Sequence, residues 1–191
     1  MAYRNIFGLG ILLFFTLSSF TFAEDYPLQY FLTKVSKPNH FSQKERTELL
    51  NRIHEVMEQA QQIHTKLMQA IQTGEMDIRY QEGKFWMSKL EEDRGSIDMG
   101  IQQLKLLKEK PTNLVASIKL YKSLKDLSSN LNAYNNMPSF SAFVGDLAPE
   151  MELWIDPIFY KLYLLPLAHS KDTETKPPQK EKAPIPKVKK P

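Results

Sequence analysis

Four histidines are the first residues to test for metal or acid–base chemistry in this 191-residue chain, which contains no cysteine. They are His40, His54, His64 and His169. His54 and His64 stand ten residues apart on one predicted helix, which separates them by about 15 Å, too far to share a metal ion. Neither follows a glutamate by three residues, as di-iron helical bundles require, because Asn51 and Gln61 hold those positions. The sequence therefore predicts no metal site, and each histidine is expected on a surface or a helix flank.

Noncovalent haem needs only one histidine and one methionine, so it is weighed separately as a cofactor. In a helical bundle His169 could face Met57 or Met68. Methionines at such positions more often fill gaps in a core, so we expect no cofactor and keep haem only as part of an alternative ligand-carrier function. The absence of cysteine excludes thiolate nucleophiles, iron–sulfur clusters, cysteine zinc sites and covalent c-type haem.

Carboxylates and amides form the remaining polar clusters. Glu91, Glu92 and Asp93 are consecutive, and consecutive helical residues point in different directions, so the sequence predicts a solvated face there. The asparagines between 130 and 136 are predicted to form a frayed helix end and a loop. No catalytic motif or phosphate-binding glycine loop is present. Acid–base catalysis needs no such motif, so an enzyme remains a third alternative, but the sequence favours a protein without catalytic residues.

Residues 1–23 have the pattern of a secretory signal peptide. Arg4 precedes an apolar and hydroxyl-rich run over residues 6–22, and Thr21 and Ala23 supply the small residues of a cleavage site. A run of this length spans a bilayer with difficulty, which favours cleavage over a permanent anchor. We therefore expect export to the periplasm or the extracellular space.

The last segment, residues 170–191, is rich in lysine and proline and nearly free of apolar side chains. It buries too little surface to offset its ordering entropy, so it is predicted to be disordered, with polyproline II character. Its net charge is +4, whereas residues 24–169 carry a net −2. Such a tail is either solvated without a partner or binds an anionic lipid surface, a cell-wall polymer or an acidic protein; export argues against nucleic acid. The predicted contact residues are Lys176, Lys180, Lys182, Lys187, Lys189 and Lys190.

Helical periodicity dominates the chain between these ends. Ser42, followed three residues later by Glu45, predicts a capping box at the start of a long helix that stops at Gly74. The buried side of that helix recurs at steps of three and four residues. Its predicted members are Leu49, Ile53, Val56, Ala60, Ile63, Leu67 and Ala70.

Two further long helices are predicted after a connection at residues 75–85, where Gly83 and polar neighbours favour a loop. The first runs over about 86–110, with Gly95 and Gly100 marking either a close neighbour or a break. Pro111 ends it, Thr112 or Asn113 caps the next, and the short connection predicts an antiparallel hairpin. The predicted buried residues are Trp86, Leu90, Ile97, Ile101, Leu104 and Leu107 on the first helix and Leu114, Ile118, Tyr121, Leu124, Leu127, Leu131 and Tyr134 on the second.

Residues 138–167 are rich in aromatics and contain several prolines. Asp156 before Pro157 suits an N-cap and first helical position, and Pro149 likewise suits the start of a turn. We therefore expect two short helices or one kinked helix, buried against the other three. The alternative is a surface that meets a membrane or a partner, assisted by Lys161.

Together these patterns predict an all-α protein, an up-down bundle of about four helices with the last broken by prolines. The expected organisation is a signal peptide at 1–23, an N-terminal extension at 24–41, the bundle at 42–169 and a disordered Lys/Pro-rich tail at 170–191. The leading functional prediction is an exported, non-enzymatic interaction protein of the cell envelope or extracellular space, tethered by its tail to an anionic surface and at most peripheral to a membrane. The alternative is a carrier of a small ligand, haem included, with a pocket near Trp86, Tyr121, Trp154 and Tyr160.

Overall fold

The predicted all-α class is confirmed: in the computed structural model, which describes residues 26–37, 41–76, 78 and 80–174, every regular element is a helix. Helices α2, α3 and α4 pack side by side in chain order, and the segment from α5 through a π-helix fills the fourth position between α4 and α2. The predicted signal peptide, and the predicted tail from residue 175 onward, lie outside the described residues. The elements are α1 (Leu28–Ser36), α2 (Gln43–Thr73), α3 (Tyr80–Glu109), α4 (Leu114–Asn135), α5 (Pro138–Val144), α6 (Leu147–Leu153), the π-helix (Trp154–Leu164) and α7 (Leu165–Glu174).

The predicted capping box fixes the start of α2. The Glu45 amide donates to Ser42 Oγ at 3.2 Å, and the Ser42 amide donates to Glu45 Oε2 at 2.6 Å. From α1, Lys34 Nζ lies 2.7 Å from the Glu45 carboxylate, and Tyr30 donates its hydroxyl proton to the same group. Burial alone would raise the pKa of Glu45, but the hydrogen bonds from Lys34, Tyr30 and Ser42 outweigh it and hold the pKa at about 2. At the other end, Gly74 stops the helix with a φ of 71°, a conformation that glycine adopts without strain.

Helix α3 begins at Tyr80, so the predicted loop at residues 75–85 is too long and the predicted helix start near 86 is wrong. Gly83 lies inside the first turns of α3, where a β-carbon would lie 3.9 Å from Ile71 of α2. This turn of α3 therefore lies against α2, and the helix includes Gly83 although glycine has a low helix propensity. The helix continues through Gly95 without a break.

Helices α3 and α4 form the predicted hairpin. Asn113 caps α4 by accepting a hydrogen bond from the Ala116 amide at 3.1 Å. The two helices approach closely where a β-carbon on Gly100 would lie 3.6 Å from Ser123 Cβ. The predicted buried side of α4 is wrong at Ile118, which is exposed. Serines of α4 are buried in the interface instead, and the pattern of apolar residues does not reveal them. In α2, all the residues of the predicted buried side are buried except Ile63, which is half-buried.

The two helical glycines of α3 give a matched test of that close approach. Gly100→Val is expected to destabilise the protein by about 1–3 kcal/mol, because its β-carbon would lie 2.5 Å from Met57 Cε and the fully buried Met57 side chain would have to shift. Gly95→Val is expected to change stability by less than about 0.5 kcal/mol, because nothing lies within 4 Å of a β-carbon there. Urea unfolding followed by circular dichroism measures both variants. Equal effects at the two positions would contradict this helix packing.

The broken fourth position is confirmed, but the predicted role of Asp156 and Pro157 is wrong. The chain is already helical before Asp156, because the Trp154 amide donates to the carbonyls of Glu150 and Met151. Pro157 therefore lies inside a helix, where it has no N–H to donate and where, in a regular α-helix, its ring would clash with the carbonyl four residues earlier. The chain around it, from Trp154 to Leu164, is π-helical. Pro149, by contrast, lies in the first turn of α6, close to where the sequence placed a turn start.

Both ends of the described chain are helical, and the first packs into the core. Residues 24–41 are more than an extension, because they include α1, whose Phe31 is fully buried and packs with a centroid distance of 5.6 Å against Trp154 of the π-helix. At the other end α7 continues to Glu174, so Ser170 to Glu174 are helical and the predicted disordered tail starts too early. No described helix combines the length and apolarity needed to cross a lipid bilayer.

Candidate functional site

The six lysines predicted to contact an anionic partner follow α7 and lie outside the described residues. They are Lys176, Lys180, Lys182, Lys187, Lys189 and Lys190. Besides the contacts of Lys34 and Tyr30 with Glu45, the structure brings together two aspartate-centred clusters in the described part that the sequence did not predict. One is centred on Asp93 in α3 and the other on Asp156 in the π-helix.

Asp93 is buried between α3 and α4, with 1% of its surface exposed, so the predicted solvated face is wrong at this position. Tyr134 donates its hydroxyl proton to one carboxylate oxygen and Asn130 Nδ2 donates to the other. Both donors lie on α4 four residues apart, and hence on one face of that helix. Asn130 is therefore part of an ordered helix and not of a frayed end. Glu91 and Glu92 are exposed as predicted.

The electrostatics of Asp93 follow from this enclosure. Burial raises the pKa of Asp93 because desolvation disfavours the charged form, and the hydrogen bonds from Tyr134 and Asn130 offset only part of that rise. Burial and the hydrogen bond to Asp93 both raise the pKa of Tyr134 above its ordinary value. The Trp86 ring packs edge-on against Tyr134, with centroids 5.7 Å apart, and closes one side. The cluster joins α3 to α4 and leaves the carboxylate no open face for a substrate.

Two histidines of α2 lie at different places on the bundle. His64 donates from Nε2 to the Leu90 carbonyl at 2.7 Å and so links α2 to α3. His54 Nε2 lies 3.3 Å from Glu58 on the same helix. Both occupy the helix flanks that the sequence predicted. Among the described residues, no group of three or more histidines, aspartates and glutamates could hold a metal ion.

Asp156 links the π-helix to α4 at the protein surface. Tyr121 donates its hydroxyl to Asp156 Oδ1 at 2.7 Å, and Lys125 Nζ lies 2.9 Å from Oδ2. These two contacts lower the pKa of Asp156, and the same hydrogen bond raises the pKa of Tyr121 to about 12. Next to Asp156 a groove of about 630 Å³ runs between α4 and the α6–π-helix segment. The groove is lined by Lys125, Ser128, Ser129, Asn132, Glu152, Leu153, Ile155, Asp156 and Pro157.

The four aromatics predicted to line a carrier pocket do not share a cavity in the part of the chain that the structure describes. Trp154 packs against Phe31, whereas Trp86 packs against Tyr134 and Phe140. Tyr121 and Tyr160 pair with each other at a centroid distance of 5.6 Å on the surface. Met57, a methionine considered above as a haem ligand, is fully buried with its methyl group near Gly100, which is the position of a gap-filling core residue.

No family model matches the chain, and searches of curated proteins and of solved structures found no significant match.

A signal for the Asp93 cluster was present in the sequence. Asp93 follows Leu90 by three residues and precedes Ile97 by four, so it shares the apolar side of α3 with two buried residues. A charged residue in that register indicates either a buried hydrogen-bonded group or a function. The Asp156 cluster had no comparable signal, because Tyr121 and Lys125 are 35 and 31 residues away and meet it only through packing.

Proposed function

We propose that the chain is an exported, non-enzymatic helical-bundle protein that its C-terminal lysines hold at an anionic surface of the cell envelope or the extracellular space. The helical body supplies a rigid unit, and the segment after Glu174 supplies the electrostatic contact. The non-enzymatic part of the proposal is supported by the contacts of two aspartate carboxylates, each of which is held by other side chains. Asp93 is enclosed by its hydrogen-bond donors, and Asp156 is engaged by Tyr121 and Lys125.

The observation that carries the proposal is the segregation of charge along the chain. Residues 170–191 carry a net +4, and residues 24–169 carry a net −2. The lysine-rich segment follows directly on α7, which is attached to the fold through the buried Leu167. A cluster of lysines on a polar segment is attracted to anionic surfaces within about a Debye length, at about 1 kcal/mol for each lysine near the surface.

The test compares the chain lacking residues 1–23 with the same chain cut after Glu174. Binding to vesicles of phosphatidylcholine containing phosphatidylglycerol is expected to weaken at least about 100-fold on truncation at low ionic strength, because six lysines are lost against one glutamate. Binding to pelleted cell-wall polymer and to an acidic protein is measured in parallel, which distinguishes the anionic partners. Cutting after Glu174 preserves all of α7, so the body is left intact.

Two control variants separate charge from sequence. A chain with the six tail lysines changed to glutamine should bind as weakly as the truncated chain. A chain with residues 175–191 in shuffled order should bind as tightly as the original, because the attraction depends on charge and not on order. Unchanged binding of the truncated chain to every anionic partner would refute the tether.

A second candidate function is a carrier of a small polar ligand, supported by the groove of about 630 Å³ between α4 and the α6–π-helix segment. Its size falls in the range of small-molecule sites, and its lining offers a lysine, two carboxylates and two serine hydroxyls. Native mass spectrometry of the protein purified from its own host tests this function. A carrier should show added mass that disappears when Asn132 and Ser129 are both replaced by leucine.

A further inference from the structure

Large apolar side chains are exposed on the surface near the turn between α3 and α4. Val115 is 62% exposed, Ile118 is 51% exposed and Tyr160 is 38% exposed. Val115 and Ile118 are neighbours on α4, one turn apart. Tyr160 joins them from the π-helix, because its ring packs 5.6 Å from Tyr121, which lies one turn after Ile118.

Lysines surround these apolar residues. Between residues 105 and 126 the chain has six lysines and two acidic residues, Glu109 and Asp126. Lys125 pairs with Asp156, whereas the other lysines around the patch are exposed and form no ion pair with any described residue. They are Lys105, Lys108, Lys110, Lys119, Lys122 and Lys161. Since residues 24–169 as a whole carry a net −2, the positive charge is concentrated at this end and the remainder is acidic.

The last described helix, α7, starts at the same end of the bundle. The Tyr163 hydroxyl donates to the Pro111 carbonyl at 2.9 Å, so the last turn of the π-helix lies against the α3–α4 turn. Helix α7 begins two residues later, at Leu165, and spans only about 15 Å. Glu174, the last described residue, therefore lies at most about 15 Å along α7 from the α3–α4 end of the bundle.

We propose that this surface, the turn-end face formed by Val115, Ile118, Lys119, Lys122 and Tyr160, docks on an anionic phospholipid bilayer. The inference rests on the proposed function and extends it, because it assigns part of the contact to the folded body and names lipid as the partner. The lysines supply attraction to anionic headgroups, while Val115 and Ile118 enter the boundary between headgroups and acyl chains. Tyr160 has the amphipathic ring typical of that boundary.

Charge favours a bilayer over a folded partner. The exposed apolar side chains Val115 and Ile118 stand on α4 beside the exposed lysines Lys119 and Lys122. A bilayer requires only charge complementarity and a few inserted apolar groups. The turn-end face and the tail would then bind the same membrane at once, and their affinities would reinforce each other through the high effective concentration of the second site.

The test uses the absence of native cysteine, which allows a single label at a chosen position. An environment-sensitive fluorophore is placed on Ile118→Cys in the chain lacking residues 1–23, and in a control on Phe85→Cys, which is 57% exposed near the opposite end of α3. On vesicles containing phosphatidylglycerol, the label at position 118 should shift to shorter wavelength and be quenched by lipid-borne quenchers. The label at position 85 should do neither.

Charge variants give a second, independent readout. Lys119→Gln and Lys122→Gln should each weaken vesicle binding about fivefold, as expected for one lysine near an anionic surface. Lys66→Gln changes an exposed lysine near the C-terminal end of α2 and should change binding less than twofold. All three lysines are exposed, so unfolding does not account for a difference, and circular dichroism checks this directly.

The outcomes separate this proposal from the tether. If the full chain binds vesicles while the label at 118 stays in water, the turn-end face is refuted and the tether stands. If the chain cut after Glu174 binds vesicles as tightly as the full chain and the label at 118 still inserts, the turn-end face is supported and the tether is refuted. If the label at 118 shifts without vesicles as protein concentration rises, the face contacts a second copy of the chain and the proposal is overturned.

Discussion

Replacing Phe31 by alanine is expected to lower the free energy of unfolding by about 3–5 kcal/mol, the range for removing a fully buried phenylalanine ring. Phe31 has no exposed surface and packs against Trp154, itself 3% exposed. The loss should be large because the ring lies between α1 and the π-helix, where a rigid neighbour such as Trp154 cannot fill the space. Urea unfolding followed by circular dichroism gives the change in free energy, and tryptophan emission of the native state should shift to longer wavelength as water reaches Trp154.

The matched control is Gln29→Ala, which changes an exposed residue of the same helix and is expected to alter stability by less than about 0.5 kcal/mol. If Phe31→Ala were as mild as Gln29→Ala, α1 would not be docked on the bundle in solution. Residues 24–41 would then be the extension that the sequence indicated. A large loss would show instead that the folded unit starts at α1.

Replacing Asp93 by alanine is expected to cost about 3 kcal/mol. The substitution leaves the Tyr134 hydroxyl and the Asn130 amide buried without their acceptor, and each unsatisfied donor costs about 1–3 kcal/mol. Asp93→Asn should cost less, because the amide oxygen still accepts a hydrogen bond. Glu91→Ala, an exposed neighbour, is the control and should change stability by less than about 0.5 kcal/mol.

The pH dependence gives Asp93 a second signature. The pKa of Asp93 is raised from its ordinary value of 3.8, so between that value and the higher folded pKa the folded chain binds more protons than the unfolded chain. The contribution of protonated Asp93 to the free energy of unfolding is therefore fully present below the ordinary pKa. It is lost as pH rises through the pKa of Asp93 in the folded chain. The stability of the original chain relative to Asp93→Asn should fall as pH rises from about 4 toward neutrality. A difference that rose with pH instead would contradict the burial of Asp93.

Local signals account for the parts of the fold that sequence reasoning predicted. The capping box of Ser42 and Glu45 and the stop at Gly74 involve atoms within one or two helical turns, so the residue types alone fix α2. Pro111 and Asn113 likewise fix the hairpin of α3 and α4, since the connection is too short for any other arrangement. The six tail lysines, on which the proposed tether depends, can be identified from the sequence composition alone, without knowledge of the fold.

The parts that were wrong or missed depend on neighbours far along the chain. Asp156 and Pro157 resemble a helix start, but the preceding turn is already helical, and Pro157 lies within a π-helix that packs against α4. Phe31 became a core residue only because α1 meets the π-helix.

The sequence by itself determined the helical class, the boundaries set by caps and glycines, and the separation of a basic tail from an acidic body, because these depend on local hydrogen bonding and on composition. Only the tertiary structure decided that Asp93 is enclosed by α4, that α1 completes the core and that Val115, Ile118 and Tyr160 come together at one end. The physical reason is that burial is a property of the assembled surface, so a side chain's surroundings depend on which distant segments pack against it.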